Sequence, residues 1–184
     1  MRIIGGAWRG RTLTAPAGTA VRPTSDRVRE ALFNVLLHRF DNPPLAGARV
    51  LDAFAGSGAM GLEALSRGAV HATFLDQDQA ALMALRNNLQ TLKVREAASV
   101  LAHDVCRPPP AAVPCTFAFL DPPYDRDVAG MALAKLAATG WLAMGALCSV
   151  ELRAGTPLPP PDGFTCLDQR TWGPAAVVFL RWKG

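Results

Sequence analysis

Four aspartates in this chain follow short apolar runs, and these runs alternate with stretches of helical periodicity. The aspartates are Asp52, Asp76, Asp104 and Asp121, and they lie at the ends of the predicted strands 49–54, 71–76, 98–103 and 115–120. Alternating strands and helices predict a mostly parallel sheet, whose ligands bind at the carboxyl ends of its strands. One aspartate after a strand is a common turn former, but four after successive strands indicate a site.

The helical stretches complete an α/β pattern. Between the strands, apolar periodicity predicts helices over 59–67, 79–92 (core stripe Leu82, Leu85, Leu89 and Leu92) and 127–138. A strand at 146–152 and a proline-rich link at 157–161 follow. The last two predicted strands, 164–170 and 176–182, are too close for a crossover helix and can form a hairpin.

The N-terminal part has a different character. Glycine- and proline-containing turn signals predict a short β-hairpin within residues 1–22. A helix then begins at Thr24 or Ser25, both good N-caps. Its predicted apolar face consists of Val28, Ala31, Leu32, Val35 and Leu36.

The turn between the first strand and the next helix is rich in glycine. Gly56-Ser57-Gly58-Ala59-Met60-Gly61 fits GxGxxG, which in a strand–turn–helix context is typical of a nucleotide-type ligand. Asp52 lies four residues earlier, where a carboxylate repels a pyrophosphate and attracts a cationic amino-acid group. S-adenosylmethionine, which carries an ammonium and a sulfonium, therefore fits better than NAD. The alternative is a tight turn whose glycines serve only packing.

Two further aspartates are candidates for binding an adenosine. Asp76 ends the second strand, twenty-four residues after Asp52, where an acidic side chain binds ribose hydroxyls in nucleotide-binding folds. Asp78 is better suited to cap the helix that starts near Gln79. Asp104 is a candidate for the adenine amine, although an aspartate before a proline-rich loop is also typical of a turn.

The fourth strand leads into Asp121-Pro122-Pro123-Tyr124. Because proline has a fixed φ and no N–H group, the two prolines hold their carbonyl groups outward with little freedom. This suits a flat base with an exocyclic amine, whose N–H groups Asp121 and the Pro122 carbonyl accept while Tyr124 stacks on the ring. The pattern predicts direct in-line methyl transfer to that amine, without a metal or a covalent intermediate. The base must be unpaired or flipped out.

Positive charge concentrates near the N-terminal end. The net charge of +4 conceals seven arginines and two acidic residues within residues 1–40. Arg9 and Arg11 alternate with glycines, which predicts a mobile hairpin that binds RNA phosphates; a solvated arginine-rich face is the alternative.

The spacing of the cysteines and histidines and the length of the apolar stretches argue against a zinc protein and a membrane protein. The four cysteines lack CxxC spacing and the three histidines are scattered, so no zinc site is expected. No apolar stretch has the length of a membrane span. We expect a cytoplasmic, reduced protein that does not bind membranes.

Four segments together carry a family signature. They are RIIGG at 2–6, RPTSDRVREALFN at 22–34, DAFAGSG at 52–58 and DPPY at 121–124. In these segments the chain resembles the bacterial small-subunit rRNA guanine-N2 methyltransferases of the RsmD type. The resemblance extends from Arg2 into the last strand, and the segment at 22–34 is its most specific part. Asp76 stands where the family often has Glu, and Met60 where it often has Leu.

The resemblance implies a Rossmann-like class I methyltransferase sheet, mostly parallel with a C-terminal antiparallel hairpin, and a small N-terminal hairpin and helix extension. It also implies methylation of the N2 amine of a guanine in small-subunit (16S) rRNA, with S-adenosylmethionine as cofactor. The candidate catalytic residues are Asp121, Pro122 and Tyr124. The candidate cofactor-binding residues are Asp52, Phe54, Gly56, Ser57, Gly58, Asp76 and Asp104. The candidate substrate-binding residues are Arg9, Arg11, Arg22 and Pro123.

We expect an RNA-facing extension at residues 1–40 and a methyltransferase domain at residues 41–184. The expected partner is small-subunit rRNA within an assembled or partly assembled subunit, and a monomer is the default. Alternatives are a methyltransferase for adenine N6 in RNA or DNA, a methyltransferase for protein glutamine or a small molecule, and a catalytically idle rRNA-binding assembly factor. Asp52 disfavours an NAD-dependent oxidoreductase.

Overall fold

The computed structural model describes residues 1–16, 26–40, 45–123 and 128–184. Within them, seven strands form one sheet: β1 (Arg49–Ala53), β2 (His71–Asp76), β3 (Ala98–Ala102), β4 (Cys115–Leu120), β5 (Leu142–Arg153), β6 (Phe164–Trp172) and β7 (Ala175–Trp182). The α-helices are α1 (Asp26–His38), α2 (Ala59–Ser66), α3 (Gln79–Leu92) and α4 (Ala129–Ala138). None of these described helices is long and apolar enough to span a membrane.

The strand order is β3-β2-β1-β4-β5-β7-β6. Strands β1 to β5 pair in parallel, and β7 pairs antiparallel with both β5 and β6. The predicted fold class is therefore confirmed. The β5 strand begins four residues before its predicted start, because Leu142 pairs with Cys115 ahead of a bulge. The order of strands reverses between β1 and β4, and this topological switch point is where open α/β sheets bind ligands.

Helices cover both faces of the sheet. On one face, α1, α2, α3 and the N-terminal segment 1–16 share a hydrophobic core with the sheet; on the other face, α4 packs against a second core. The predicted α3 stripe is confirmed, since Leu82, Leu85, Leu89 and Leu92 are all buried.

The N-terminal segment folds back on itself as a short, irregular hairpin, as predicted. An antiparallel bridge joins Arg2 to Thr12, the Ile3 and Leu13 N–H groups donate to the Arg11 and Met1 carbonyls, and a 3-10 turn at Gly6–Trp8 lies between the two arms. Gly6 has φ +74°, and a Cβ there would collide with the carbonyl oxygen of Ser66 in α2. This glycine therefore allows close approach to a helix, a packing role that the sequence did not indicate, while the mobility of the segment stays a prediction.

The buried stripe of α1 is also rotated relative to the prediction. Arg29 and Phe33 are buried, whereas Ala31 and Val35 are half-buried. The prediction placed apolar residues inward and left the arginine out. Arg29 is buried because partners for its guanidinium lie inside the fold. The proposed caps Thr24 and Ser25 lie outside the described residues.

Candidate functional site

Three of the four strand-end aspartates meet at one edge of the sheet. Ala53 of β1 lies opposite Leu75 of β2 and Leu120 of β4, so the carboxyl ends of these strands lie side by side. A cavity of about 260 Å³ opens there, which we call the glycine-turn cavity. Its lining comprises Met1, Ala15, Pro16, Arg29, Asp52, Phe54, Ala55, Gly56, Ser57, Ala59, Met60, Asp76, Asp78, Ala81 and Asp121.

Asp52 is the buried carboxyl of this cavity. It is 3% exposed, and its Oδ2 accepts a 2.8 Å hydrogen bond from the Gly61 N–H at the start of α2. Burial raises the pKa of Asp52 to about 8, helped by the charges of Asp121 and Asp76, while the hydrogen bond from Gly61 acts in the opposite direction. A cation bound beside Asp52 would relieve this cost, because an opposite charge favours the ionised form.

Asp76 and Asp78 accept hydrogen bonds from different parts of the backbone. Asp76 accepts hydrogen bonds from the Gly56 N–H at 2.7 Å and from the Asp78 N–H at 2.9 Å. Asp78 caps α3 by accepting from the Ala81 N–H at 2.7 Å, which confirms its predicted capping role. Each carboxylate oxygen has two acceptor positions, so Asp76 retains capacity for hydroxyl donors.

The three glycines of the turn serve different purposes. A Cβ at Gly58 would collide with Leu85, and one at Gly61 would collide with Phe74, so these two glycines allow close packing of α2 and α3 on the sheet. Gly56 has φ +54°, and nothing lies within 4 Å of the position that its Cβ would take. The packing interpretation therefore explains two glycines, whereas Gly56 leaves open space where it lines the cavity.

Phe54 connects this cavity to a second one. Phe54 has φ +61°, an uncommon conformation for a bulky residue and one that is often found at functional sites. The second cavity, of about 480 Å³, is called the Pro123 cavity here. It is lined by Phe54, Gln77, Asp104, Cys106, Arg107, Pro108, Pro123, Val128, Met131, Lys135 and Thr139.

The structure separates Asp104 from the other strand-end aspartates. It lines the Pro123 cavity, and its Oδ1 accepts a 2.8 Å hydrogen bond from the Cys106 N–H. This bond is typical of an aspartate that forms a turn. Its predicted contact with an adenine stays a prediction.

The Asp121–Pro123 segment bridges the two cavities. Asp121 is exposed and lines the glycine-turn cavity, Pro122 is buried, and Pro123 lines the Pro123 cavity. Tyr124 and Arg22 lie outside the described residues.

The predicted RNA-contacting arginines lie away from the glycine-turn cavity. Arg9 is exposed in a shallow depression lined also by Arg2, Asp26, Arg27 and Glu30, together with Ile3, Ile4 and Gly10. Arg11 is exposed, and its Nη2 donates to the Thr91 carbonyl at 3.4 Å. Both are accessible to a large ligand.

Arg29 was missed as a site residue. It is fully buried yet lines the glycine-turn cavity. Its sequence signal is a charge on an apolar stripe, since Arg29 lies four residues before Phe33 and three before Leu32. Because a buried charge needs partners, an arginine at such a position indicates a polar cluster inside the fold.

Glu63 is the second residue that sequence reasoning missed. It is fully buried in α2 and accepts from the Ile4 and Gly5 N–H groups, each at 2.8 Å, and from Arg67 Nε at 2.7 Å. Asn88 of α3 forms a similar link, exchanging hydrogen bonds with the backbone of Thr14 and donating to the Ser57 carbonyl. These contacts fix the N-terminal segment beside the glycine turn.

The described residues contain no arrangement of side chains that is typical of a metal centre. Among the described residues, no group of three or more His, Cys, Asp or Glu side chains is arranged to hold a metal ion. Cys115 and Cys148 lie buried in β4 and β5, where burial raises their thiol pKa values to about 11 and about 12. They behave as small apolar side chains.

This sheet, with its acidic strand ends and glycine turn at the switch point, is that of the class I methyltransferases. The solved structure of the Escherichia coli protein yhhF superposes with a TM-score of 0.85 at 40% identity, covering 100% of this chain and 98% of that one. The model of the family described as conserved hypothetical protein 95 matches residues 1–181, and the chain belongs to this family. The resemblance to the RsmD type is thus confirmed.

Two curated relatives carry a functional name. Ribosomal RNA small subunit methyltransferase D of Haemophilus influenzae is 41% identical over 177 residues, which are 94% of this chain and 89% of the relative. The protein of the same name from Escherichia coli K12 is 44% identical over 159 residues, 86% of this chain and 78% of the relative.

Proposed function

We propose that this protein transfers a methyl group from S-adenosylmethionine to the N2 amine of a guanine in small-subunit (16S) rRNA. The observation that carries the proposal is the glycine-turn cavity, where Asp52, Asp76 and Asp121 lie together at the switch point of a methyltransferase sheet. The names of the relatives support rRNA as the substrate. The Asp-Pro-Pro-Tyr segment supports an exocyclic amine, and the family resemblance supports guanine N2.

The residues of the cavity fit this cofactor. Asp52, buried and destabilised as an anion, suits an ammonium group. Asp76 suits the ribose hydroxyls, and the open space beside Gly56 allows the ligand to approach the backbone. The adenine then lies past Phe54 toward Asp104 in the second cavity. When bound, S-adenosylmethionine supplies a methyl group activated by its sulfonium.

Asp121 and Pro122 orient the amine that is methylated. The lone pair of an aryl-type amine delocalises into the ring, so the amine is a weak nucleophile. The Asp121 carboxylate and the Pro122 carbonyl accept its two N–H groups and thereby turn the lone pair toward the methyl carbon. Asp121 also takes the proton released late in the reaction. Orientation of this kind is worth up to about 7–11 kcal/mol in favourable cases.

The base must leave its stack to reach this site. We assign Tyr124 to stacking on the extruded ring, and the exposed Pro123 to the wall beside it. Arg9, Arg11 and Arg22 are assigned to RNA phosphates. We keep residues 1–40 as the RNA-facing part and residues 41–184 as the methyltransferase domain, although both contribute to one hydrophobic core.

A methyl-transfer assay tests the proposal. The protein is incubated with labelled S-adenosylmethionine and one of three acceptors: small ribosomal subunits, naked small-subunit rRNA, or DNA. The subunits and the rRNA lack the modification beforehand. The products are analysed by nucleoside mass spectrometry. We expect N2-methylguanosine from subunits, with less from naked rRNA. Asp121→Asn is the matched inactive control.

Other products would change the proposal in defined ways. N6-methyladenosine or its deoxy form would retain the Asp121 mechanism and overturn the base assignment. Cofactor binding without transfer to any of these acceptors would contradict the rRNA proposal and favour the idle assembly factor.

A further inference from the structure

Arg29 lies at the centre of an ion-paired cluster inside the fold. Its Nη2 donates to the Arg2 carbonyl and, at 2.9 Å, to Asp26 Oδ1, and its Nε lies 3.8 Å from Glu63 Oε2. Arg2 pairs with Asp26 at 3.3 Å, and Arg67 pairs with Glu63 at 2.7 Å. Three arginines thus share two carboxylates, which leaves one positive charge without a counter-charge in the cluster.

Arg29 is the most buried member of the cluster, and it shares each of its two carboxylates with another arginine. The Arg29 side chain is 1% exposed, whereas those of Arg2 and Arg67 are 68% and 16% exposed. Among the described residues, Nη1 and Nε of Arg29 have no hydrogen-bond partner. Because buried polar groups in native proteins are nearly always paired, these donors call for a partner beyond the described residues, and a bound ligand is one that the adjoining cavity admits.

The glycine-turn cavity is where such a partner has access, since Arg29 is part of its lining. The other charged side chains of this lining, Asp52, Asp76, Asp78 and Asp121, are acidic. The cavity is therefore bipolar, with acceptors for a cation and a donor for an anion. An amino acid, which carries an ammonium and a carboxylate on one carbon, matches both.

The helix N-terminus at this cavity is already occupied. The first turn of α2 is a natural position for an anion, but Asp52 accepts the Gly61 N–H at 2.8 Å and a further hydrogen bond from Met60. A ligand carboxylate would meet the carboxyl of Asp52 at that place. Arg29 is the one cationic side chain in the described lining.

We propose that Arg29 binds the α-carboxylate of the cofactor's amino-acid moiety, chiefly through Nη1, which has neither a hydrogen bond nor an ion pair among the described residues. This inference rests on the proposed use of S-adenosylmethionine. It makes α1, and with it the segment at 22–34, part of the cofactor site. Arg29 then contributes to affinity for the cofactor and selects ligands that retain the carboxylate.

Calorimetry with two ligands tests the assignment without relying on turnover. S-adenosylhomocysteine is compared with 5′-deoxy-5′-(3-aminopropylthio)adenosine, which keeps the ammonium and the adenosine and lacks only the carboxylate. Hydrogen bonds to charged groups predict that the wild-type protein prefers S-adenosylhomocysteine by about 10- to 100-fold. Equal affinities in the wild type would overturn the proposal.

Variants of Arg29 test whether this preference for the ligand with a carboxylate depends on the Arg29 side chain. Arg29→Met should lower the affinity for S-adenosylhomocysteine by that factor and leave the decarboxylated ligand unchanged, so that the preference disappears. Arg29→Lys should restore part of the preference. Arg67→Met is the matched control, because Arg67 pairs with the same Glu63 and is not in the cavity lining, and it should keep the full preference.

The remaining outcomes are also decisive. An equal loss for both ligands in Arg29→Met would assign Arg29 to structure alone and overturn the proposal. If Arg29→Met does not fold, the wild-type comparison and Arg29→Lys still decide. Absence of S-adenosylhomocysteine binding to the wild type would contradict the proposed cofactor itself, whereas binding without dependence on the carboxylate would contradict only the role of Arg29.

Discussion

Two regions of this molecule meet at the glycine-turn cavity and differ in the charge of the side chains that they contribute. The strand-end region, from Asp52 to Asp121, uses carboxylates and backbone turns at the edge of a parallel sheet. The N-terminal region, residues 1–16 with α1, uses arginines and buried ion pairs, and it supplies Met1, Ala15, Pro16 and Arg29 to the same cavity. A region with a net positive charge thus lines the same cavity as the acidic strand ends, so the segment proposed to face RNA also contributes to the proposed cofactor site.

The two regions are joined by a few buried polar side chains. Glu63 holds the backbone of Ile4 and Gly5, and Asn88 bonds to both Thr14 and the Ser57 carbonyl of the glycine turn. Because these bonds are buried or partly buried, displacing the N-terminal segment leaves polar groups without partners. Cofactor binding at the turn and the position of the segment are therefore expected to be coupled.

The largest effect is expected at the strand-end region. Asp121→Asn keeps the shape of the side chain but removes a proton acceptor and one charged hydrogen bond to the amine. Methyl transfer should fall by about 10²–10⁴-fold, the range for removal of an acid–base group. Single-turnover assays measure this, and calorimetry should show S-adenosylhomocysteine affinity near that of the wild type.

Asp162, exposed in the turn before β6, provides the control. Asp162→Asn should transfer methyl groups at the wild-type rate. Near-normal turnover in Asp121→Asn would reject the assigned role of the strand-end region in chemistry.

The link between the regions is tested by Glu63→Gln. The change leaves Arg29 and Arg67 buried with a weaker partner, and loss of one member of a buried ion pair typically costs about 3–5 kcal/mol. Urea unfolding measures this loss. Glu96→Gln, in the exposed 3-10 turn before β3, should remain within about 0.5 kcal/mol of the wild type. A similarly small effect at Glu63 would show that the two regions are held by other contacts.

Replacing Asp52 by Asn should have opposite effects on two properties, the stability of the protein at higher pH and its affinity for the cofactor. Burial raises its pKa from 3.8 to about 8, so the folded state keeps a proton that the unfolded chain loses above about pH 4. The contribution of Asp52 to stability is thus complete below pH 4 and is lost as the pH rises toward 8. Asp52→Asn removes this dependence of stability on pH. The free energy of unfolding of the variant should therefore rise relative to that of the wild type as the pH increases, by up to about 1.4 kcal/mol per pH unit.

Denaturant titrations at several pH values between 5 and 9 measure the stability difference, and calorimetry measures the accompanying loss of S-adenosylhomocysteine affinity. A difference in stability that stays constant over this range would show that Asp52 is not buried as a neutral acid. Unchanged cofactor affinity would remove it from the site.

The smallest effect is expected for the exposed arginines of the N-terminal region. Replacing Arg9 and Arg11 by Gln should reduce the slope of log affinity for rRNA against log salt by about 0.7–0.9 for each phosphate that the protein no longer neutralises. Fluorescence anisotropy at several salt concentrations measures the slope. Arg95→Gln, at the amino-terminal edge of the sheet before β3, should leave it unchanged. An unchanged slope in the double variant would limit the N-terminal region to its role in the cavity.

Sequence reasoning succeeded where local patterns are sufficient. The α/β alternation predicted the parallel sheet, and strand ends placed Asp52, Asp76 and Asp121 together, because parallel strands align their carboxyl ends at one edge. The capping role of Asp78 was also local, since it depends on an N–H three residues away.

It failed where long-range contacts decide. The N-terminal glycines were interpreted only as sources of mobility, and the packing role of Gly6 was missed because the atom that requires it belongs to Ser66, sixty residues away. Glu63 carries no local signal and Arg29 only that of a charge on an apolar stripe, and their burial depends on each other and on the backbone of residues 2–5. Such reciprocal burial becomes visible only when the elements are assembled.

Amide hydrogen exchange with and without S-adenosylhomocysteine tests most directly whether both regions form one cofactor site. The account predicts that the ligand slows exchange at two separate places, the turn at residues 56–61 and the anchored amides of Ile4, Gly5 and Thr14. Protection confined to residues 56–61, with the N-terminal amides unaffected at saturating ligand, would contradict it.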